Sequence, residues 1–267
     1  MAAEGQADRF DDAAERLAAH RTGLTKIGSL PDACRPRDLA EAYQVQARLA
    51  TRLQAAGYGR PVGYKIGCTT AVMQDYLQID HPCIGRLYDA GVVSSGADLD
   101  LTRYQKVAVE LEIAVRLGAD LPRRGPPYRN EEAAAAVAAC MASLEIVDDR
   151  YVDWRSMDTP TLVADDFFSA GCVLGSAVTD WQTIDLSTEQ AVIHRDGEEL
   201  GRGRGDAILG HPLTALTWLA NSDALPDGLK RGEVITLGSV VQTVWIDGPC
   251  AVSARYSTLG EIAVRFV

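Results

Sequence analysis

Two glutamates in a strand-like segment are the first residues of this sequence that could do chemistry. Residues 107–117 carry a large apolar side chain at every odd position, so Glu110 and Glu112 fall together on the other face of the predicted strand, about 7 Å apart. Two carboxylates this close repel each other unless a cation lies between them. The pattern allows a divalent hard cation, or a solvated strand face with Arg116 nearby.

A third acid interrupts another apolar segment. Glu145 lies within residues 141–147, where an ionised side chain is rarely buried unless it is paired or bound to a metal. An acid at the end of an element that reaches solvent is the alternative. Three carboxylates suit Mg²⁺ or Mn²⁺ and do not suit zinc, which prefers nitrogen and sulfur ligands.

Lys65 is the candidate for proton transfer. It lies in the strand-like residues 62–67, between Gly63 and Gly67, where a charged side chain is uncommon. A desolvated lysine beside a metal or another cation loses proton affinity, and this suits general acid–base work near neutral pH. A lysine on an edge strand is the structural alternative.

The elements that must position these side chains predict an α+β fold. Apolar periodicity and end signals indicate helices, and short runs bounded by Gly, Pro and Asp indicate strands. The predicted helices are residues 8–21, 36–56, 131–143 and 212–221, and the predicted strands are 62–67, 107–117, 191–194, 233–241, 250–256 and 261–267. We expect an N-terminal helical part over 1–60 and a β-rich catalytic core over 61–267, within one continuous globular unit.

Composition excludes several classes of protein. The chain has 267 residues, is 47% hydrophobic and carries a net charge of -11, and without a basic cluster it is not expected to bind nucleic acid. Its apolar runs are too short to span a bilayer, and its first residues do not form a signal peptide. The six cysteines are scattered singly. We therefore expect a cytoplasmic protein with buried, reduced thiols and no membrane partner.

Other candidate motifs give weaker indications of function. Residues 201–205 imitate a phosphate-binding loop but lack the following Lys-Ser/Thr. A Cys83 nucleophile with His81 would need an orienting third group that the sequence does not place. His211, before a proline, is typical of a helix start.

Six segments in order carry a family resemblance. They are Gly63-Tyr-Lys-Ile-Gly-Cys-Thr69, the strand of Glu110 and Glu112, Leu144-Glu145, Ala164-Asp165-Asp166, Leu209-Gly-His-Pro212 and Gly232-Glu-Val-Ile-Thr-Leu-Gly238. With them the chain resembles the 2-oxopent-4-enoate (2-hydroxypentadienoate) hydratases and the related 4-oxalocrotonate decarboxylases of the fumarylacetoacetate hydrolase superfamily.

The resemblance implies a mixed β-roll or sandwich core with N-terminal helices. It implies Mg²⁺ or Mn²⁺ held by Glu110, Glu112 and Glu145, with Lys65 as the catalytic lysine. The substrate would be a small anionic 2-oxo or 2-hydroxydienoic acid from aromatic ring cleavage, bound by Ser239, Cys83, Leu77 and Asp165. We also expect a homo-oligomer, and association with a related pathway enzyme.

The sequence departs from the hydratases at a key position. Where they read Pro-Asp-(Phe/Tyr)-Gly, this chain has Pro82-Cys83-Ile84-Gly85, so a cysteine replaces the active-site aspartate of the family. Phe167 and Phe168 replace small residues and would narrow or reshape the pocket. Hydration is the predicted reaction. Decarboxylation of a 2-oxo acid, C–C hydrolysis of an acylpyruvate, and a non-catalytic partner subunit of such an enzyme are the alternatives.

Overall fold

The computed structural model describes residues 2–267, with side chains from residue 9 onward except at positions 71, 72 and 76. Its helices are α1 (Ala2–Thr22), α2 (Leu39–Leu53), α3 (Ala71–Leu77), α4 (Asn130–Ala135), α5 (Thr159–Ala164) and α6 (Pro212–Ala220). Its strands are β1 (Pro61–Gly67), β2 (Cys83–Tyr88), β3 (Val92–Ser94), β4 (Ala97–Leu99), β5 (Val107–Leu117), β6 (Val137–Asp148), β7 (Ser169–Leu174), β8 (Gln190–Arg195), β9 (Glu198–Arg204), β10 (Val234–Ser239), β11 (Val244–Trp245), β12 (Cys250–Tyr256) and β13 (Glu261–Phe266).

The strands form two sheets. The larger has the order β2-β1-β10-β5-β6-β7-β3, with β11 pairing to β5, and the smaller has the order β4-β13-β12-β8-β9. Both sheets mix parallel and antiparallel pairs: β1 runs parallel to β10, and β13 runs parallel to β4, whereas the long β5–β6 pair is antiparallel. The predicted α+β class and mixed β core are therefore confirmed.

The larger sheet curls until its distant strands meet. Ser169 Oγ on β7 donates a hydrogen bond of 3.0 Å to the carbonyl oxygen of Arg86 on β2. In a flat sheet these strands, five positions apart, would be separated by about 24 Å. The sheet therefore forms a nearly closed barrel, with an interior face and an exterior face.

Each strand divides its side chains between these two faces. On β5 the odd residues, such as Val109 and Leu111, join the main hydrophobic cluster with Val252 of the smaller sheet and Leu216 of α6. The even residues project to the opposite face, where Ala114 belongs to a separate small cluster of buried side chains. This alternation sends Glu110 and Glu112 into the barrel interior.

The N-terminal helices are packed against the barrel wall. The amide of Gln46 on α2, which is 2% exposed, donates to the carbonyl oxygens of Ile84 on β2 and Val163 on α5. Buried residues of α1 and α2 share a second hydrophobic cluster with Cys83 and Leu162. The helical part predicted over 1–60 is thus held to the core by its own side chains. The domain division itself stays a prediction.

The helix predicted over residues 131–143 is wrong. Only Asn130–Ala135 is helical, and β6 begins at Val137. The alanines favour helix locally, but residues 137–148 pair with β5 on one side and β7 on the other, and this pairing outweighs intrinsic propensity. Glu145 is therefore in the middle of a central strand. It is not at an element end that reaches solvent.

Two further expectations concern the cysteine thiols and membrane-spanning helices. Five of the six cysteines are buried and all six are free thiols, with Cys250 partly exposed. Among the helices that the structure describes, none is long and apolar enough to cross a membrane.

Candidate active site

The three predicted carboxylates converge inside the barrel. Glu110 and Glu145 are direct partners in the β5–β6 register, and Glu112 lies two residues further along β5. One oxygen atom from each of the three side chains lies within 4.8 Å of the others. Glu112 and Glu145 are both 0% exposed, so Glu112 is not on a solvated strand face and Glu145 does not reach solvent.

Lys65 reaches the carboxylates from the opposite wall. Its Nζ lies 2.9 Å from Glu145 Oε1, and its side chain is 3% exposed. β1 and β6 are three positions apart in the sheet, about 14 Å if the sheet were flat, so this contact depends on the curl of the barrel. The structure therefore brings together all four residues that the sequence singled out for metal binding and proton transfer.

Burial and repulsion shift the protonation equilibria of this cluster. Burial raises the pKa of Glu112 well above its ordinary value, and the charges of Glu145 and Glu110 raise it further. Burial alone would lower the pKa of Lys65, but attraction to Glu145 and Glu110 outweighs it and the pKa is raised. The sequence-based expectation of a lowered proton affinity is for a lysine beside a metal or another cation, whereas the three carboxylates by themselves act in the opposite direction.

The donor set fits a hard divalent cation. The backbone amide of Gly238 donates to Glu112 Oε2 at 2.9 Å, and Thr243 Oγ1 donates to Glu110 Oε1. Within the described part of the chain, Glu112 Oε1 and Glu145 Oε2 are buried without a hydrogen-bond partner. Buried acceptor oxygens without donors are costly. An all-oxygen site of this kind matches the ligands that Mg²⁺ and Mn²⁺ prefer.

The backbone conformation and a close contact at the rim of this site require a glycine at position 238. Its φ is +116°, and a Cβ there would lie 2.3 Å from Thr69 Oγ1. A side chain would displace Thr69 or move the amide that binds Glu112. The glycine before Ser239 therefore serves the carboxylate cluster directly.

Ser239 lies beside the cluster as the resemblance implied. It is the register partner of Glu112 across β10 and β5, and it is partly exposed. Its hydroxyl donates to the carbonyl oxygen of Val241 at 2.8 Å. A substrate role for Ser239 stays a prediction that this position permits.

The remaining predicted substrate residues lie in three different environments. Cys83 is 0% exposed and pairs with Gly67 across β1 and β2. Leu77 is the last residue of α3, and its partly buried side chain packs on the second hydrophobic cluster, that of α1 and α2. Asp165 is held in a buried ion-pair cluster, where its Oδ2 accepts from Arg150 Nε at 2.8 Å and from Tyr151 OH at 3.1 Å. Their substrate contacts stay predictions, and for Asp165 the described contacts are structural.

Sequence reasoning missed two neighbours of the cluster, Cys172 and Thr243, and named a third, Phe167, only as a residue that would narrow or reshape the pocket. Cys172 of β7 is the register partner of Glu145 and is 0% exposed, and burial followed by the charges of Glu145 and Glu112 raises its pKa. Thr243 and Phe167, the latter with its ring centroid 4.9 Å from Lys65 Nζ, reach the site from loops. Only tertiary folding places them, although the strand register would have indicated Cys172.

A groove of about 800 Å³ lies outside the barrel. Tyr43 of α2, Tyr64 of β1 and Trp218 of α6 line it. Because Tyr64 precedes Lys65 on one strand, the two side chains point to opposite faces. The groove is therefore separate from the carboxylate cluster.

The sequence from residue 72 to residue 267 matches the family described as fumarylacetoacetate (FAA) hydrolase C-terminal. The chain belongs to the fumarylacetoacetate hydrolase family. The predicted resemblance is thereby confirmed, and the matched region contains the three glutamates, whereas Lys65 and the N-terminal helices precede it.

Curated relatives cover nearly the whole chain. A 2-keto-4-pentenoate hydratase of Paraburkholderia phymatum is 33% identical over 262 residues, covering 97% of this chain and 98% of the relative. A 4-oxalocrotonate decarboxylase of Pseudomonas putida is 32% identical over 234 residues, covering 85% of each protein. The chain is therefore a member of an enzyme family of hydratases and decarboxylases.

Solved structures agree with this assignment. A 4-oxalocrotonate decarboxylase of Pseudomonas putida, complexed with magnesium and adipate, superposes with a TM-score of 0.90 at 27% identity, covering 97% of this chain and 98% of that one. A fumarylpyruvate hydrolase of Pseudomonas aeruginosa, in complex with Mn²⁺ and pyruvate, has a TM-score of 0.61 at 16% identity over 78% of this chain and 90% of that one. The second likeness shows a shared fold alone.

Proposed function

We propose that this protein is a divalent-metal-dependent hydratase that adds water to a 2-hydroxydienoate or 2-oxo-enoate produced by aromatic ring cleavage. The observation that carries the proposal is the convergence of Glu110, Glu112 and Glu145, the last of which lies 2.9 Å from the amine of Lys65. The names of the hydratase relatives, at 33% identity over nearly the whole chain, support it.

The metal ligands would be the three glutamates, with Mg²⁺ or Mn²⁺ as the ion. When bound there, such an ion offsets the repulsion among the carboxylates and stabilises negative charge that develops on a substrate oxygen. The magnesium complex of the decarboxylase neighbour supports a divalent ion. We assign the ligands on the convergence of their oxygen atoms.

Lys65 is the proposed proton carrier. Its amine is inside the barrel, next to Glu145, where it can give a proton to a substrate carbon or take one from it during the dienol–enone conversion that precedes water addition. Ser239, whose hydroxyl is at the rim beside Glu112, would turn from Val241 to bind the substrate carboxylate.

Decarboxylation of a 2-oxo-dienedioate is the second candidate. Cys83 counts against hydration, because a buried neutral thiol replaces an acid that the hydratases have at this position. The TM-score of 0.90 to a 4-oxalocrotonate decarboxylase favours decarboxylation. Release of CO₂ distinguishes this reaction from hydration.

The test is a panel of 2-hydroxydienoates, 2-oxo-dienedioates and acylpyruvates, each incubated with the protein and Mg²⁺ or Mn²⁺ and followed by loss of ultraviolet absorbance and by CO₂ release. We expect turnover of a 2-hydroxydienoate without CO₂. Lys65→Met should lower kcat by about 10²–10⁴-fold and leave Mn²⁺ binding intact. Full activity of Lys65→Met would overturn the role of the lysine, and inactivity of the wild type on every substrate would favour the non-catalytic subunit.

Assembly and location complete the proposal. We expect a homo-oligomer in the cytoplasm, able to associate with a related pathway enzyme. Light scattering after size-exclusion chromatography measures the first property, and a monomer at micromolar concentration would contradict it.

A further inference from the structure

We propose that Phe167 is a positioning residue that covers Lys65 and holds its amine against Glu145. The inference rests on the proposed role of Lys65 in proton transfer. It gives the N-terminal helix α1 a part in building the active site, because Arg21 of that helix anchors the turn that carries Phe167.

The turn has an unusual backbone. Asp166, Phe167 and Phe168 all have positive φ values, of 58°, 46° and 65°. Non-glycine residues adopt this left-handed region uncommonly, and three in succession are strongly disfavoured unless the surroundings fix them. An observed outlier of this kind needs a physical explanation in the contacts that surround it.

Buried charges fix the start of the turn. Arg21 Nη1 donates to Asp166 Oδ2 at 2.7 Å, Tyr88 OH donates to the same oxygen at 3.0 Å, and the Arg86 amide donates to Asp166 Oδ1 at 3.1 Å. Asp166 is 0% exposed and Arg21 is 5% exposed. The preceding residue, Asp165, is held in the same way by Arg150. Charge-assisted hydrogen bonds in a buried setting hold the backbone where it would not otherwise stay.

Two glycines of the barrel admit the turn. A Cβ on Gly85 would lie 2.3 Å from the carbonyl oxygen of Asp166. A Cβ on Gly67 would lie 2.7 Å from Cδ1 of Phe167. Strands β1 and β2 therefore lack side chains where the backbone and the ring of this turn approach them.

The ring of Phe167 lies against the amine of Lys65. Lys65 Nζ is 4.9 Å from the ring centroid and 2.9 Å from Glu145 Oε1 on another side. A lysine side chain has many rotamers, and an aromatic face and a carboxylate together restrict the position of its charged end. Phe168 packs instead on Tyr151 and Trp154, so the two neighbouring rings have separable roles.

Amine labelling tests the covering of Lys65 directly. The chain contains four lysines, and Lys26, Lys106 and Lys230 are exposed, so they are internal standards for an acylating reagent read by peptide mass spectrometry. We expect Lys65 to be protected in the wild type and in Phe168→Ala. In Phe167→Ala it should label clearly faster than in the wild type, yet more slowly than the three exposed lysines, because the ion pair with Glu145 remains.

A second variant, on strand β1, disturbs the same contact without removing the ring. Gly67→Ala leaves Phe167 in the chain but places a methyl group 2.7 Å from Cδ1 of its ring and 3.5 Å from Lys65 Nζ, and the φ of Gly67 is outside the left-handed region. We expect Lys65 to become labelled here too. If Phe167→Ala does not fold, as circular dichroism would show, Gly67→Ala decides the question.

Kinetics separate positioning from simple packing. With a turned-over substrate, Phe167→Ala should lower kcat by about 10- to 100-fold, the cost of a misplacement on the order of 1 Å, with KM and Mn²⁺ affinity nearly unchanged. Continued protection of Lys65 in both variants, or equal labelling in Phe168→Ala, would overturn the proposal. Failure of the proposed function would instead appear as full activity in Lys65→Met, which leaves the labelling result standing.

Discussion

At the scale of single residues, the cluster concentrates like charges in a buried space with one lysine as partner. Three carboxylates share the interior with Lys65, and burial together with repulsion raises the pKa values of Glu112 and Glu145. Such a group of charges opposes folding unless protons or a cation neutralise it. We therefore expect the carboxylate cluster to lower the stability of the metal-free protein. A bound ion should restore that stability.

Replacing one carboxylate should separate metal affinity from stability. In Glu112→Gln the metal-free protein should be at least as stable as the wild type, since one repelling charge is removed and the amide can still accept from Gly238. Its affinity for Mn²⁺ should fall strongly. Calorimetric titration with Mn²⁺ and urea unfolding of the metal-free proteins measure the two effects.

Unchanged Mn²⁺ affinity in Glu112→Gln would contradict the assignment of the metal ligands. Glu132→Gln is the matched control, because that glutamate is partly exposed on α4 and is paired with Arg124 outside the cluster. It should bind Mn²⁺ as the wild type does.

Residue 83 is the second position at which the chemistry of one side chain, a thiol or a carboxylate, should affect the reaction. The contact with the Cys68 thiol, and then burial, raise the pKa of Cys83 well above its ordinary value, so the group is a neutral thiol. Cys83→Asp should raise the rate of hydration of 2-hydroxypentadienoate, because it adds a carboxylate on the strand next to Lys65. Cys83→Ser, which adds no charge, is the control, and initial rates for both variants on the substrate panel measure the change. An absence of any effect on every substrate would place residue 83 outside the active site.

At the scale of elements, two kinds of element build the site. The neighbouring strands β5 and β6 supply the three carboxylates, and their register alone brings Glu110 opposite Glu145. The helix α1 contributes through Arg21, whose guanidinium also donates to the carbonyl oxygen of Ser169 at 2.6 Å. A helix that precedes the matched family region is thus bound to the turn beside the lysine.

Removing this anchor should cost much stability. Arg21→Met leaves Asp166 buried without its guanidinium partner, and breaking a buried ion pair costs about 3–5 kcal/mol. Arg16→Met is the matched control on the same helix, because both Arg16 and its partner Asp12 are half exposed and an ion pair screened by solvent contributes little to stability. Urea unfolding followed by circular dichroism gives both values, and equal losses would show that Arg21 is not an anchor.

At the scale of the whole molecule, the candidate active site lies where distant parts of one curled sheet face each other. β2 and β7 meet through Ser169 and Arg86, and Lys65 crosses the interior to Glu145. The smaller sheet and α6 cover the exterior face through the main hydrophobic cluster. An ion bound to β5 and β6 would add a further link within this interior.

Metal binding should therefore stabilise the entire fold. A ligand that binds only the native state at a free concentration of 100 times its Kd adds about 2.7 kcal/mol, or roughly 5–10 °C in Tm for a chain of this size. Differential scanning calorimetry with Mn²⁺ and with a chelator measures the shift. Glu112→Gln should show little of it, and an equal Tm with and without Mn²⁺ in the wild type would contradict a native metal site.

The sequence by itself determined the local pattern of the site. Period-two alternation put Glu110 and Glu112 on one face of a strand, and an acid in an apolar run marked Glu145, because these properties depend only on neighbours along the chain. The same local reasoning failed at residues 131–143. The alanines there favour helix, whereas β6 is formed by pairing with strands distant in sequence.

Only the tertiary structure decided what these residues meet. The pairing of Lys65 with Glu145 requires the sheet to curl, and the burial of Asp165 among Arg21 and Arg150 requires a helix from one end of the chain to pack beside a turn in its middle. Phe167 reaches Lys65 through a left-handed turn that its own residue types disfavour. Contacts between distant segments depend on sheet curvature and packing, which no local pattern of residues encodes.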